Sequence, residues 1–500
     1  MVFWHLTCVP QPECKPLETS AIDADSDALR AGQSIPTRPA AEAFGQPKGL
    51  WVLAGTELWD RISFHGMVAM LTLYMAGELL LPGRIENVVG FAGYRSFLEG
   101  MTGPLSVQAL ATQTFGLYFA GVTFMPLFGG AIGDRLIGRK AAVSLGALLM
   151  TAGHFAMAFD ASFLLALLLL VLGAGLLRGN LSAQVKALYA DGDPRSVNAF
   201  QYYYLAINFG AFIAPIVAGG VAAIWGWHAG FGIAGFGMLI GLIVYLVGQR
   251  HLVDEKPRRL RPIEERGPRA ALTPDERRRV LGLALIWPVS VSFWVAQAQI
   301  WNVYNIWVRD HVDMRVGNFD VPVPWMQSLD GLAPALFTPL VLWLWSRQAK
   351  RGTEPGLYVK LAIGAGIFAL STGWLALAGV IYGDGRAPIL WPIWFHVMSN
   401  LGAVYFAPTM LGIFGTRAPY SLRGTLIGIN SLAVSAASLI SGPMGGMYET
   451  ISPSEFWLIN TAICGGGALV VLVLRGFYGR LLALDGEAVG VTDEIKPAPA

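Results

Sequence analysis

The chain has 500 residues, of which 54% are hydrophobic and only 14% charged, with a mean hydropathy of +0.52. So few charges cannot coat a water-soluble globule of this length, which points to a membrane protein. A formal net charge of +2, carried in short connecting segments rather than on one face, excludes a nucleic-acid-binding surface.

Residues 1–48 are polar and poor in aromatics, with no apolar core of a cleaved signal, and are expected to form a disordered cytoplasmic tail. Apolar stretches then recur near residues 51–81, 105–130, 141–158, 162–188, 198–222 and 228–248. A second set lies near 281–306, 325–346, 356–380, 388–413, 424–446 and 455–475. Each is long enough to cross a bilayer, giving twelve spans in two halves, 49–248 and 281–476.

Between the halves, residues 249–280 hold ten Lys/Arg against six acids, which no bilayer interior accepts. This basic linker, with GDRLIGRK (Gly133 to Lys140), SRQAKR (Ser346 to Arg351) and the Arg417/Arg423 loop, marks one side as cytoplasmic by the positive-inside rule. Both termini, including a tail at 477–500, are expected there. Two six-span halves about a basic loop predict an all-α major facilitator fold that opens alternately around a midplane site.

The first span raises a physical problem. GTELWDRISFHG (Gly55 to Gly66) places Glu57, Asp60 and Arg61 inside an apolar run, where each charge is costly. At i, i+3 and i+4 they share one helix face, so both carboxylates can sit beside the guanidinium and repay part of that cost. Intramembrane ionisable groups of this kind mark transport pathways. Cys8, Cys14 and Cys464 give neither a disulfide framework nor zinc-ligand spacing, His154 and His396 are expected to be packing groups, and no phosphate loop or cofactor motif is present.

Several motifs, in order along the chain, resemble those of the proton-dependent oligopeptide transporters. GTELWDRISFHG resembles E-x-x-E-R-F-x-Y-Y-G, and GGAIGDRLIGRK (Gly129 to Lys140) the loop after the second span, where Asp134, Arg135 and Arg139 would latch one conformation. GAGLLRGNLSAQ resembles the fourth-span K-P-N segment with Arg178, Gly179 and Asn180; the run from Asp193 ends in an I-N-x-G containing Asn208; WMQSLDGL resembles the eighth span and TRAP (Thr416 to Pro419) the segment after the tenth. The resemblance implies a monomeric, proton-driven carrier of di- or tripeptides in a bacterial-type inner membrane, without cofactor or enzymatic chemistry. Arg61, His65, Arg178, Asn208, Gln299 and Asp330 would contact substrate, and Glu57, Asp60 and Asp330 would handle protons.

Departures from the family pattern cluster in the second half. The seventh-span F-W-x-x-x-E-Q reads FWVAQAQ, with Ala298 at the glutamate, and the tenth-span acid that meets a peptide's amino group is Ala403. The two first-span tyrosines are Phe64 and His65, and Arg178 replaces a lysine, keeping charge but not a readily released proton. Asp330, where the family has asparagine, is a new carboxylate that could compensate. Two other functions stay open: a proton-linked carrier of another small solute, and a non-transporting sensor that keeps the fold.

Overall fold

The computed structural model describes residues 42–190, 193–254, 257 and 272–484. Most of the expected tails and linker therefore lies outside the described residues. Fifteen α-helices are present among those described: α1 (Lys48–Tyr74), α2 (Phe91–Thr102), α3 (Val107–Ile132), α4 (Arg139–Ala156), α5 (Phe163–Ala187), α6 (Arg195–Trp225), α7 (Trp227–Gly248), α8 (Pro274–Ala298), α9 (Val303–His311), α10 (Ser328–Lys350), α11 (Leu357–Tyr382), α12 (Leu390–Arg417), α13 (Arg423–Met447), α14 (Pro453–Val473) and α15 (Arg475–Leu482). Among the described residues, eleven helical segments are long and apolar enough to cross a membrane. The expected third span is the 18-residue α4, which falls short of that measure because it opens on Arg139 and Lys140 and carries His154.

Local chemistry sets the helix starts. TPDE and SPSE form capping boxes: Thr273 accepts from the Glu276 amide while Glu276 accepts from Thr273, and Ser452 and Glu455 do the same, each followed by proline at the first helical position. Gly226, at φ 85°, turns α6 into α7 between two tryptophans. Glycine is equally required where α3 crosses α5: a Cβ on Gly129 would lie 2.0 Å from the Gly175 carbonyl oxygen. The axes touch there because neither helix carries a side chain at the crossing.

Two separate hydrophobic cores result, one from Leu50 to Leu252 and one from Leu283 to Leu482, with Ala76 and Trp301 packed against both. Helices α1, α3 to α7 pack among themselves, as do α8 and α10 to α14; across the halves α3 packs on α13 and α6 on α10. Hydrogen bonds join the halves mainly at the end of the bundle away from Lys48: Asn302 to the Thr112 carbonyl (3.2 Å), Asn305 to Ala69 (3.3 Å), Trp325 to Ile216 (3.0 Å) and Thr72 to Trp301 (3.5 Å). Thr123 and Ser435, 2.8 Å apart, are a contact further toward the Lys48 end.

Two expectations need correction. The stretch near 281–306 is not one helix: α8 ends at Ala298, a tight turn spans Gln299–Trp301, Asn302 takes φ −109° and ψ −94°, and α9 restarts at Val303. The amphipathic α2, between the first two spans, has no counterpart in the apolar pattern because only Phe91 and Leu98 are buried.

Candidate substrate and proton site

Four charges from two helices form the centre of the first half. On α1, Arg61 Nε donates to Glu57 Oε1 at 2.7 Å, and its other nitrogen lies 2.6 Å from the same oxygen. Asp60, 0% exposed, has its principal partner elsewhere: Arg178 of α5 reaches its two carboxylate oxygens at 3.0 and 3.3 Å, while Arg61 stands 3.6 Å away. The helical spacing thus identifies the face but not the pairing. Tyr203 of α6 donates to the second oxygen of Glu57, and Arg178 lies 4.1 Å above the Phe64 ring. Each carboxylate is held by a charged donor, which makes burial tolerable.

The arginines are not sealed. Arg61 and Arg178 keep 18% and 12% side-chain exposure, on the Lys48 side of the inter-half contacts, so their forks can meet an anionic ligand. His65 packs against Trp301 of the other half, ring centroids 4.9 Å apart and planes inclined at 48°, at the seam. Buried His154 lies within electrostatic reach of Asp60 and Arg178, a proximity that its place in an apolar run concealed.

The other expected residues go elsewhere. Asn208 spends its amide on the Tyr204 carbonyl at 2.8 Å, within its own helix. Gln299 is fully buried and donates to the Ser441 carbonyl at 3.2 Å, so it packs the broken end of α8 against α13 rather than facing open space. Arg139 Nε donates to Asp134 at 2.8 Å within the loop after α3, and Arg135 is exposed. Ala298 is buried and Ala403 packs on the second core, so both missing acids are replaced by apolar contact.

Asp330 belongs to a separate group in the second half. Its Oδ1 accepts from Asn400 at 2.8 Å and lies 2.8 Å from His396 Nδ1, both on α12. His396, expected to be a packing residue, is therefore a hydrogen-bond partner of Asp330. Its i, i+4 spacing to Asn400 was the available signal, but only the fold brings α10 beside α12. Outside the spans, Arg195 hydrogen-bonds Asp193 and holds its carboxyl below the usual range, fixing the start of α6. Among the described residues, no group of three His, Cys, Asp or Glu could hold a metal ion.

This layout coincides with that of a known group of proteins. The profile of the POT family matches residues 140–267 and 264–458, well over half of the chain. The chain belongs to the POT family. Similar curated proteins include the peptide transporter YePEPT of Yersinia enterocolitica, 26% identical over 86% of this chain and 94% of its own length. A di-/tripeptide transporter of Lactococcus lactis subsp. cremoris is 24% identical over 89% of this chain and 97% of its own. Among solved structures, a peptide transporter POT in complex with sulfate superposes with a TM-score of 0.77 at 26% identity, covering 89% of this chain and 97% of that one. The same fraction is covered by a complex with alafosfalin, at a TM-score of 0.76 and 26% identity. This POT chain is accordingly a multi-pass integral membrane transporter.

Proposed function

We propose that this POT-family protein carries di- and tripeptides or close analogues across a bacterial-type inner membrane, as a monomer, by proton-driven alternating access. The observation that carries this reading is the Glu57/Arg61 and Asp60/Arg178 pairing: two partly exposed guanidinium groups in the first half, held in place by buried carboxylates on the helix whose His65 touches Trp301 of the other half. A terminal carboxylate of a peptide can exchange with one of those carboxylates at an arginine fork, which links substrate binding to the charge state of Glu57 or Asp60. The names of the Yersinia and Lactococcus relatives support peptides as the cargo. The basic connections support a cytoplasmic position for the Lys48 end, which puts the hydrogen-bonded closure between the halves on the opposite, outer side.

Because Ala298 and Ala403 remove two acids, the second half would recognise an amino terminus weakly, and Asp330 is the carboxylate left to take that part. The test is uptake of a labelled dipeptide by purified protein in liposomes under an inward proton gradient. Accumulation above empty liposomes that collapses with a protonophore supports the reading. No accumulation, under conditions where a Lactococcus di-/tripeptide transporter is active, overturns it.

A further inference from the structure

The Asp330 group carries more than a substrate contact. We infer that Asp330 and His396 form a proton-binding pair whose occupancy sets whether the halves are closed or open at the end away from Lys48. The inference rests on the alternating-access reading but not on the identity of the cargo.

Three buried polar atoms in and beside this pair have no hydrogen-bond partner: Asp330 Oδ2, His396 Nε2 and the Tyr304 hydroxyl. Tyr304, on α9, packs edge-on against His396 with ring centroids 5.1 Å apart and is the titratable group facing the pair from that helix. Asn400 comes from α12, Gln327 ends the turn into α10, and α6 presents the backbone of Ala211 and Phe212. An ionised Asp330 in this closed arrangement has one oxygen satisfied and one orphaned, an expensive state for a charge away from water. Opening this end hydrates Oδ2 and removes the cost. Uptake of one proton from water removes it too, turning imidazole plus carboxylate into a pair without net charge; release to water reverses the step, and no other bond changes.

The pair is tied to the inter-half contacts on both sides. Gln327, three residues before Asp330, donates to the Ile300 carbonyl at 2.6 Å and to Asn305 Oδ1 at 2.8 Å, and Asn305 in turn donates to Ala69 of α1. Gly331, the next residue, lies so close to α6 that a Cβ there would be 2.2 Å from the Phe212 nitrogen. A change in hydration at Asp330 therefore displaces the turn and the helix start that close this end. Protonation favours closure, and deprotonation favours opening.

The readout is thiol accessibility rather than transport. Full-length protein lacking Cys8, Cys14 and Cys464 is prepared in lipid nanodiscs with Thr72→Cys, a buried position facing Trp301 across the seam. Its reaction with a charged methanethiosulfonate is normalised to Asp384→Cys on an exposed loop. Between about pH 5.5 and about pH 8.5 the normalised rate is expected to rise about tenfold. Asp330→Asn is expected to stay slow throughout, and His396→Gln to lose most of the rise. His311 and Glu449 sit at the same end, and both remain in these variants. A flat wild-type profile, or a wild-type profile in either variant, overturns the inference; if Asp330→Asn does not fold, His396→Gln decides. Dipeptide uptake failing while the thiol profile holds would overturn the cargo and leave the switch standing.

Discussion

Arg178 on α5 grips both oxygens of Asp60 on α1, at 3.0 and 3.3 Å, across 118 positions of sequence. Removing one partner strands a buried charge. Arg178→Gln is therefore expected to lower unfolding stability by about 3–5 kcal/mol, and adding Asp60→Asn to recover a substantial part of it. Denaturation in detergent checks this: a double variant no more stable than Arg178→Gln would mean that the pair is not the source of the loss. Arg178→Lys, which keeps charge but not the planar fork, should fold and bind dipeptide more weakly.

Gly116 of α3 faces α13 so closely that a Cβ would stand 2.6 Å from the Ser438 carbonyl oxygen and 2.8 Å from Gly442 Cα. Gly116→Ala is expected to disfavour the closed seam by about 1–3 kcal/mol, the usual cost of overpacking, without unfolding either half. Uptake should fall while thermal stability of each core is retained, and a Thr72→Cys thiol should react faster. Unchanged thiol reactivity would show that the helices slide to absorb the methyl group.

Apolar packing at Ala403, in place of an acid, predicts a tolerant amino-terminal subsite. N-acetylated and free dipeptides should compete for uptake with Ki values within about fivefold of each other, because a single exposed ion pair contributes about 1 kcal/mol or less. Ala403→Glu should favour the free amine. Strong preference for the free amine in the wild type would assign its recognition to another carboxylate.

Half-buried His311, outside the spans beside the Tyr448 ring, has its pKa lowered below the ordinary 6.5, first by burial and then by Arg386 against the pull of Asp310 and Asp384. The unfolded chain therefore takes up the proton first. Stability contributed by neutral His311 is present above about pH 6.5 and is lost as pH falls below that value. His311→Gln is expected to flatten this acid limb in a plot of thermal midpoint against pH. An unchanged limb in the variant would assign it to other groups.

Twelve apolar stretches, a basic division between two sets of six, and three charges on one face of the first helix were legible because they depend on composition and helical period alone. The family motifs were legible because glycine crossings and charged faces need fixed residue types at fixed spacings, as Gly129 against Gly175 illustrates. The break at Gln299–Trp301 was not, since its residues are apolar enough to continue a helix and the interruption is held by tertiary bonds from Gln327 and Asn302. Nor could local order show that Asp60 answers to Arg178, that Tyr203 rather than its two tyrosine neighbours meets Glu57, or that Asp330 meets His396. Sequence determined which charges enter the membrane; only the packing of distant helices decided which charge lies beside which, because inside a bilayer a charge takes its partner from whichever helix face is pressed against it.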